Sequence, residues 1–127
     1  MAVRKKKVLI VDDEPAVLNV VARMVERLGY HAVSTLNGSE ALEIMENQDI
    51  DMLLLDVVLQ DMTVVELASR SQSFHGRRKI IIMSGHFSQL ELGHRGVPFL
   101  QKPFTMADLK DALAQAQREP ARDPAEV

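Results

Sequence analysis

Three short apolar runs constrain this chain most, because each stops abruptly at residues that carry chemistry. Val8-Leu9-Ile10-Val11 ends in Asp12-Asp13, Met52-Leu53-Leu54-Leu55 ends in Asp56, and Ile80-Ile81-Ile82-Met83 ends in Ser84-Gly85. A run with no polar alternation offers no face to water. It reads as a strand buried on both sides, the condition of a parallel sheet. Between the runs, apolar residues recur at helical spacing. Val17, Leu18, Val21, Met24, Val25 and Leu28 follow Pro15, which a first helical turn tolerates, and Gly29 closes the segment. Asn37-Gly38-Ser39 reads as a turn and cap before Ala41, Leu42, Ile44 and Met45. A third helix is expected from Val64 to Ser71, and weaker strands from His31 to Ser34 and from Val97 to Leu100. Ser88 to Gly93 has room for only a short fourth helix. Thr105 and Asp108 form a capping-box pattern before a fifth helix carrying Leu109, Ala112, Leu113 and Ala116. Alternation of five strands with five helices predicts a doubly wound α/β fold, a five-stranded parallel sheet with helices on both faces.

A length of 127 residues suits one domain that buries about two-thirds of its unfolded surface. The expected organisation is one domain over 1–118 and a disordered tail over 119–127, where Pro120 and Pro124 fall. A net charge of −3 gives no reason to expect direct nucleic-acid binding. The chain has no cysteine, which excludes disulfides and cysteine-ligated zinc and is compatible with the expected cytoplasmic location. Arg4-Lys5-Lys6-Lys7 before Val8 superficially resembles a signal peptide. The apolar run is too short for a signal core or a membrane span, so the basic run reads as a solvated lead-in to a strand.

Open parallel sheets bind ligands beyond the carboxyl ends of their strands, where strand order reverses. Asp12, Asp13, Asp56, Ser84 and, after Gln101, Lys102 would all lie there. Carboxylates that close repel one another, and a divalent cation relieves the repulsion. All-oxygen ligation with few protein ligands suits Mg²⁺, with Mn²⁺ as an alternative. Asp13 and Asp56 are the expected direct ligands, with Asp12 bound directly or through water and the backbone carbonyl of Val58 as a further ligand. Asp56 can act as a nucleophile toward a phosphoryl group. The Lys102 ammonium, the Ser84 hydroxyl and the bare Gly85 would receive the transferred oxygens. Taken singly, each residue has a plainer reading. Asp12-Asp13 and Asp56 could be helix caps, Ser84-Gly85 a turn, Lys102 a solvated lysine and Phe99 simple core. The four histidines share no metal-ligand spacing.

These motifs together resemble the receiver domains of two-component response regulators (CheY-like). The resemblance covers residues 7 to 117 and rests on Val8 to Pro15, on Leu53 to Asp56, on Met83-Ser84-Gly85 and on Phe99 to Phe104. It implies the flavodoxin-like strand order 2-1-3-4-5. It also implies a phosphorelay function, in which Asp56 receives a phosphoryl group from a histidine kinase or histidine phosphotransfer protein and Mg²⁺ is required. Beyond slow loss of that aspartyl phosphate, no enzymatic turnover is implied. Ser84 and Phe99 would form the switch, Val58 and His86 would tune hydrolysis, and a downstream protein would read a monomer or weak dimer.

Three departures stand out: Gln60 where a proline is usual, Val64 where a glycine is usual, and a short segment between Ser84 and Lys102; losing a glycine that can adopt positive φ should change the loop after Asp56 or force the chain around it. They motivate an alternative, a non-switching receiver-like scaffold. The intact Asp13, Asp56, Ser84 and Lys102 argue against it. An aspartate-dependent phosphatase would usually carry a second aspartate where Val58 stands. A flavin site would need a glycine-rich phosphate loop where Asp12-Asp13-Glu14-Pro15 stands.

Overall fold

Each apolar run forms a strand, and the strands lie parallel. The computed structural model describes residues 4–75, 79–85 and 98–118. Strands β1 (Lys7–Val11), β2 (His31–Thr35), β3 (Met52–Asp56), β4 (Lys79–Ser84) and β5 (Phe99–Gln101) form one sheet in the order β2-β1-β3-β4-β5. Helices α1 (Pro15–Arg27), α2 (Gly38–Asn47), α3 (Val64–His75) and α4 (Met106–Arg118) are those among the described residues.

Alternation along the strands splits the core in two. Leu9, Val11, Leu53, Leu55, Ile80 and Ile82 face α2 and α3, where they meet Ala41, Met45, Leu67 and Ala68. Val8, Ile10, Met52, Leu54, Ile81 and Met83 face α1 and α4, where they meet Val21, Val25, Leu109 and Leu113. Leu53, Leu54 and Leu55 are all 0% exposed, so neither face of β3 touches water. Burial of each such side chain contributes roughly 2 kcal/mol. This explains why these runs carry no polar alternation.

Helix ends follow local chemistry. The Asn37 side chain accepts from Glu40 N at 2.8 Å and starts α2. Thr105 and Asp108 bond reciprocally at 3.0 and 3.1 Å, the capping box before α4. Gly29 adopts φ +96° after α1, a conformation that side chains with a Cβ rarely adopt.

Three expectations need correction. Helix α3 runs to His75 rather than Ser71; Arg70 to Ser73 is polar, and Phe74 alone after it is too little to announce a further turn. Strand β5 spans Phe99–Gln101 rather than Val97 to Leu100; its pairing to β4 begins with Phe99 opposite Ile82. Val64 was expected to disturb the loop after Asp56. It instead starts α3 at 5% exposure, and no non-glycine residue described has positive φ. The short helix expected at Ser88 to Gly93 and the tail 119–127 lie outside the described residues.

Candidate functional site

The parallel register delivers the strand ends to one edge. Val11 pairs with Leu55, Asp56 with Met83 and Ser84 with Gln101. Asp12, Asp56, Ser84 and Lys102 therefore leave neighbouring strands at similar height. The order reverses between β1 and β3, the place where an open α/β sheet offers a crevice. Backbone bonds fix the edge. Asp12 N donates to Thr35 O at 3.3 Å, Val57 N to Met83 O at 3.0 Å and Lys102 N to Ser84 O at 2.8 Å.

Carboxylate oxygens of Asp12, Asp13 and Asp56 lie within 4.8 Å of one another. Asp12 and Asp56 are buried and Asp13 is half-buried. Lys102 Nζ donates to Asp12 Oδ2 at 2.6 Å and stands 3.3 Å from Asp56 Oδ2. Glu14 N donates to Asp12 Oδ1 at 3.0 Å, so both Asp12 oxygens are engaged. Val58 N reaches Asp56 Oδ1 at 3.4 Å, a long and weak bond.

Electrostatics follow from this crowding. Burial, then the Asp12 charge, pushes the Asp56 carboxyl above its ordinary value, against the pull of Lys102. Burial draws the Lys102 ammonium down, but its hydrogen bond to Asp12 and the charges of Asp56 and Asp12 outweigh this and hold it above its ordinary value. Three carboxylates against one ammonium leave a formal charge of −2 at the cluster. A compact set of oxygen donors with that residual charge fits a hard divalent cation.

A cleft of about 750 Å³ opens over the cluster. Asp13, Asp56, Val58, Gly85 and Lys102 line its polar end, while Val17, Val20, Met24 and Phe104 form an apolar side. Asp13 faces this cleft, whereas Asp12 is 0% exposed. Ser84 is buried at the end of β4. Phe99 is half-buried and packs on the α2–α3 core. A Cβ built on Gly85 would meet nothing within 4 Å, so that edge of the cleft is open. The Lys102–Pro103 bond is cis. The structure thus brings Asp12, Asp13, Asp56 and Lys102 into direct contact range, with Ser84 beside them in register. Phe99 stands on β5, ahead of Lys102 and off the cluster, and His86 lies outside the described residues.

Sequence reasoning missed two polar residues near this edge. The buried Thr35 hydroxyl donates to Glu40 Oε1 at 2.7 Å. Asp61 accepts from Gly38 N at 2.9 Å and Ser39 N at 2.8 Å. Its partners precede it by more than 20 positions, beyond any local motif.

A 2-1-3-4-5 sheet with an acidic cluster and a bridging lysine at its switch point defines a receiver-type signalling module. Residues 8–114 match the response regulator receiver domain model, and the chain belongs to that family. It is 29% identical over 113 residues to the response regulator receiver protein CpdR of Brucella abortus, an overlap of 85% of this chain and 93% of that protein. It is 34% identical over 116 residues to the positive alginate biosynthesis regulatory protein of Pseudomonas aeruginosa, covering 87% of this chain and 47% of that longer protein. The receiver domain of the hybrid histidine kinase CckA superimposes with TM-score 0.73, at 30% identity over 87% of this chain and 97% of that one. The chain is therefore a receiver domain of two-component signalling. No described helix is long and apolar enough to cross a membrane.

Proposed function

We propose that the chain accepts a phosphoryl group on Asp56 from a phosphohistidine donor in a Mg²⁺-dependent step and signals by binding another protein. The observation that carries this is the convergence of Asp12, Asp13 and Asp56 within 4.8 Å, with Lys102 bridging Asp12 and Asp56. Asp13, facing the cleft, and Asp56 would hold the cation directly. Asp12, with both oxygens engaged, would act directly or through water, and the Val58 carbonyl would be a further ligand. When bound, the cation supplies charge neutralisation for the transferred group.

An Asp56 oxygen attacks phosphorus, and the P–N bond to the donor imidazole breaks. The products are an acyl phosphate on Asp56 and a free histidine on the donor. Phosphoryl transfer asks the protein mainly for position and charge stabilisation. Lys102 gives up part of its contact with Asp12 and Asp56 and turns its ammonium to a phosphoryl oxygen. The Ser84 hydroxyl donates to another, and Phe99 turns inward as the switch. Hydrolysis later breaks the P–O bond by attack of water; Val58, which lines the cleft beside Asp56, and His86 are assigned to tuning its rate. The chain has no other turnover. The donor is a histidine kinase or histidine phosphotransfer protein in the cytoplasm, and the output partner meets a monomer or weak dimer.

Incubation with acetyl phosphate, with and without Mg²⁺, tests this by intact mass. The expected result is a Mg²⁺-dependent gain of one phosphoryl group that Asp56→Asn abolishes. No gain in the wild type, with acetyl phosphate and with a phosphohistidine donor, would overturn the proposal in favour of a non-switching scaffold.

A further inference from the structure

We infer that Asp61 is a positioning residue: its carboxylate clamps the loop between β3 and α3 onto the start of α2 and so sets the backbone at Val58 against the acidic cluster. The inference deepens the proposed function and rests on it for the role of Val58.

The loop is hydrogen-bonded to the rest of the fold at both ends, and between them only Leu59 packing on the α2–α3 core and the long Val58 N–Asp56 Oδ1 contact hold it. At its first end, Val57 N donates to Met83 O at 3.0 Å. At its far end, Asp61 Oδ1 accepts from Gly38 N at 2.9 Å and Asp61 Oδ2 from Ser39 N at 2.8 Å. Met62 follows at 9% exposure in the α2–α3 core. A Cβ on Gly38 would stand 2.6 Å from Met62 Cγ and Sδ, so a larger residue there would push the Met62 side chain aside. Thr63 Oγ1 then accepts from Glu66 N at 3.0 Å and caps α3. Only Val58-Leu59-Gln60 spans the gap, with no proline to restrict it. The first of these lines the cleft beside Asp56.

The clamp is separable from the helix cap. The first N–H groups of a helix lack partners within it. In α2 the donors are divided: Asn37 takes Glu40 N at 2.8 Å, and Asp61 takes Gly38 N and Ser39 N. The bond from Gly38 N leads the effects that hold the Asp61 carboxyl below its ordinary value, so the clamp is charged at neutral pH. Removing Asn37 frays the helix start without touching the loop. Removing Asp61 frees the loop and leaves the Asn37 cap in place.

The test compares wild type, Asp61→Ala, Asp61→Asn and Asn37→Ala in two measurements: amide hydrogen exchange over residues 38–39 and 57–61, and calorimetric titration with Mg²⁺. Asp61→Ala is expected to speed exchange at both segments and to weaken Mg²⁺ binding roughly tenfold, the usual scale for a residue that orients a ligand. Asn37→Ala should leave Mg²⁺ affinity within about twofold, since it alters no ligand. Asp61→Asn keeps one acceptor oxygen for one of the two N–H groups and sets its NH2 against the other, so it should fall between wild type and Asp61→Ala. The inference fails if exchange over 57–61 is unchanged in Asp61→Ala. It also fails if Asn37→Ala weakens Mg²⁺ binding equally. A wild type that binds no Mg²⁺ defeats the cation step of the proposed function, and the exchange data alone then decide the clamp.

Discussion

Replacing Lys102 with Met keeps the apolar stem and removes the ammonium that bridges Asp12 and Asp56. That ammonium lies 2.6 Å from Asp12 and 3.3 Å from Asp56, and the side chains are 15%, 0% and 6% exposed, respectively. Breaking a buried ion pair from one side costs about 3–5 kcal/mol, because the remaining charge is stranded. Two stranded carboxylates can lower that cost by taking up a proton. Lys102 is the charge that holds the Asp56 value down, so its loss raises an already raised value further. The expected deficit at pH 8 in EDTA is therefore at the lower end, about 3 kcal/mol. The sign with pH follows from linkage. A carboxyl raised in the folded state favours folding below its ordinary value of 3.8 and loses that contribution as pH rises through the raised value. The deficit of Lys102→Met should thus narrow from pH 8 toward pH 5.5. Urea unfolding followed by circular dichroism measures it at both pH values. Added Mg²⁺ should recover much of the loss, since the cation replaces the missing charge. A variant within about 0.5 kcal/mol of wild type at pH 8, or a deficit that widens toward acid, would refute the reasoning.

Asp56→Asn relieves the repulsion with Asp12 while keeping the shape of the side chain, so it should raise the urea midpoint in EDTA. The same variant should show no phosphoryl gain by intact mass. Thr105→Ala removes one arm of the α4 capping box. It should cost about 1 kcal/mol in urea unfolding and leave the rate of phosphoryl uptake unchanged.

What was legible in the sequence was whatever burial or strand ends made local. The runs in β1, β3 and β4 were readable because residues buried on both sheet faces must all be apolar. Asp12, Asp13, Asp56, Ser84 and Lys102 were readable because each follows or ends a strand at the edge where ligands bind. The last turn of α3 was not, since the buried Ser71 there satisfies its hydroxyl on Ala68 O at 2.7 Å and needs no apolar neighbour in sequence. The sequence suggested Asp13 and Asp56 as direct ligands but not which carboxylate would pair with Lys102. That Asp12 is the inner partner of Lys102 while Asp13 faces the cleft depends on how the chain turns after Val11. Asp61 escaped because it acts on α2, a helix placed beside it only by the folded sheet.

Val64 shows how a departure from a family pattern can mislead when its structural role is unknown. A glycine there suggests a positive φ, and valine then suggests strain. The backbone avoids the problem: Val64 begins α3 with an ordinary φ and packs at 5% exposure with Leu67 and Ala68 in the α2–α3 core. Restoring glycine should therefore harm this chain. The loss of a buried valine side chain costs roughly 1.5–2 kcal/mol. Glycine within a helix adds roughly 0.5–1 kcal/mol through unfolded-chain entropy. Val64→Gly is expected to be less stable by about 2–3 kcal/mol in urea unfolding. Phosphoryl uptake at low denaturant should stay near the wild-type rate, because the clamp at Asp61 lies upstream of residue 64 and remains intact. Equal or greater stability for Val64→Gly would mean that the valine is strained after all, and that the loop in this chain has kept a preference for the left-handed conformation.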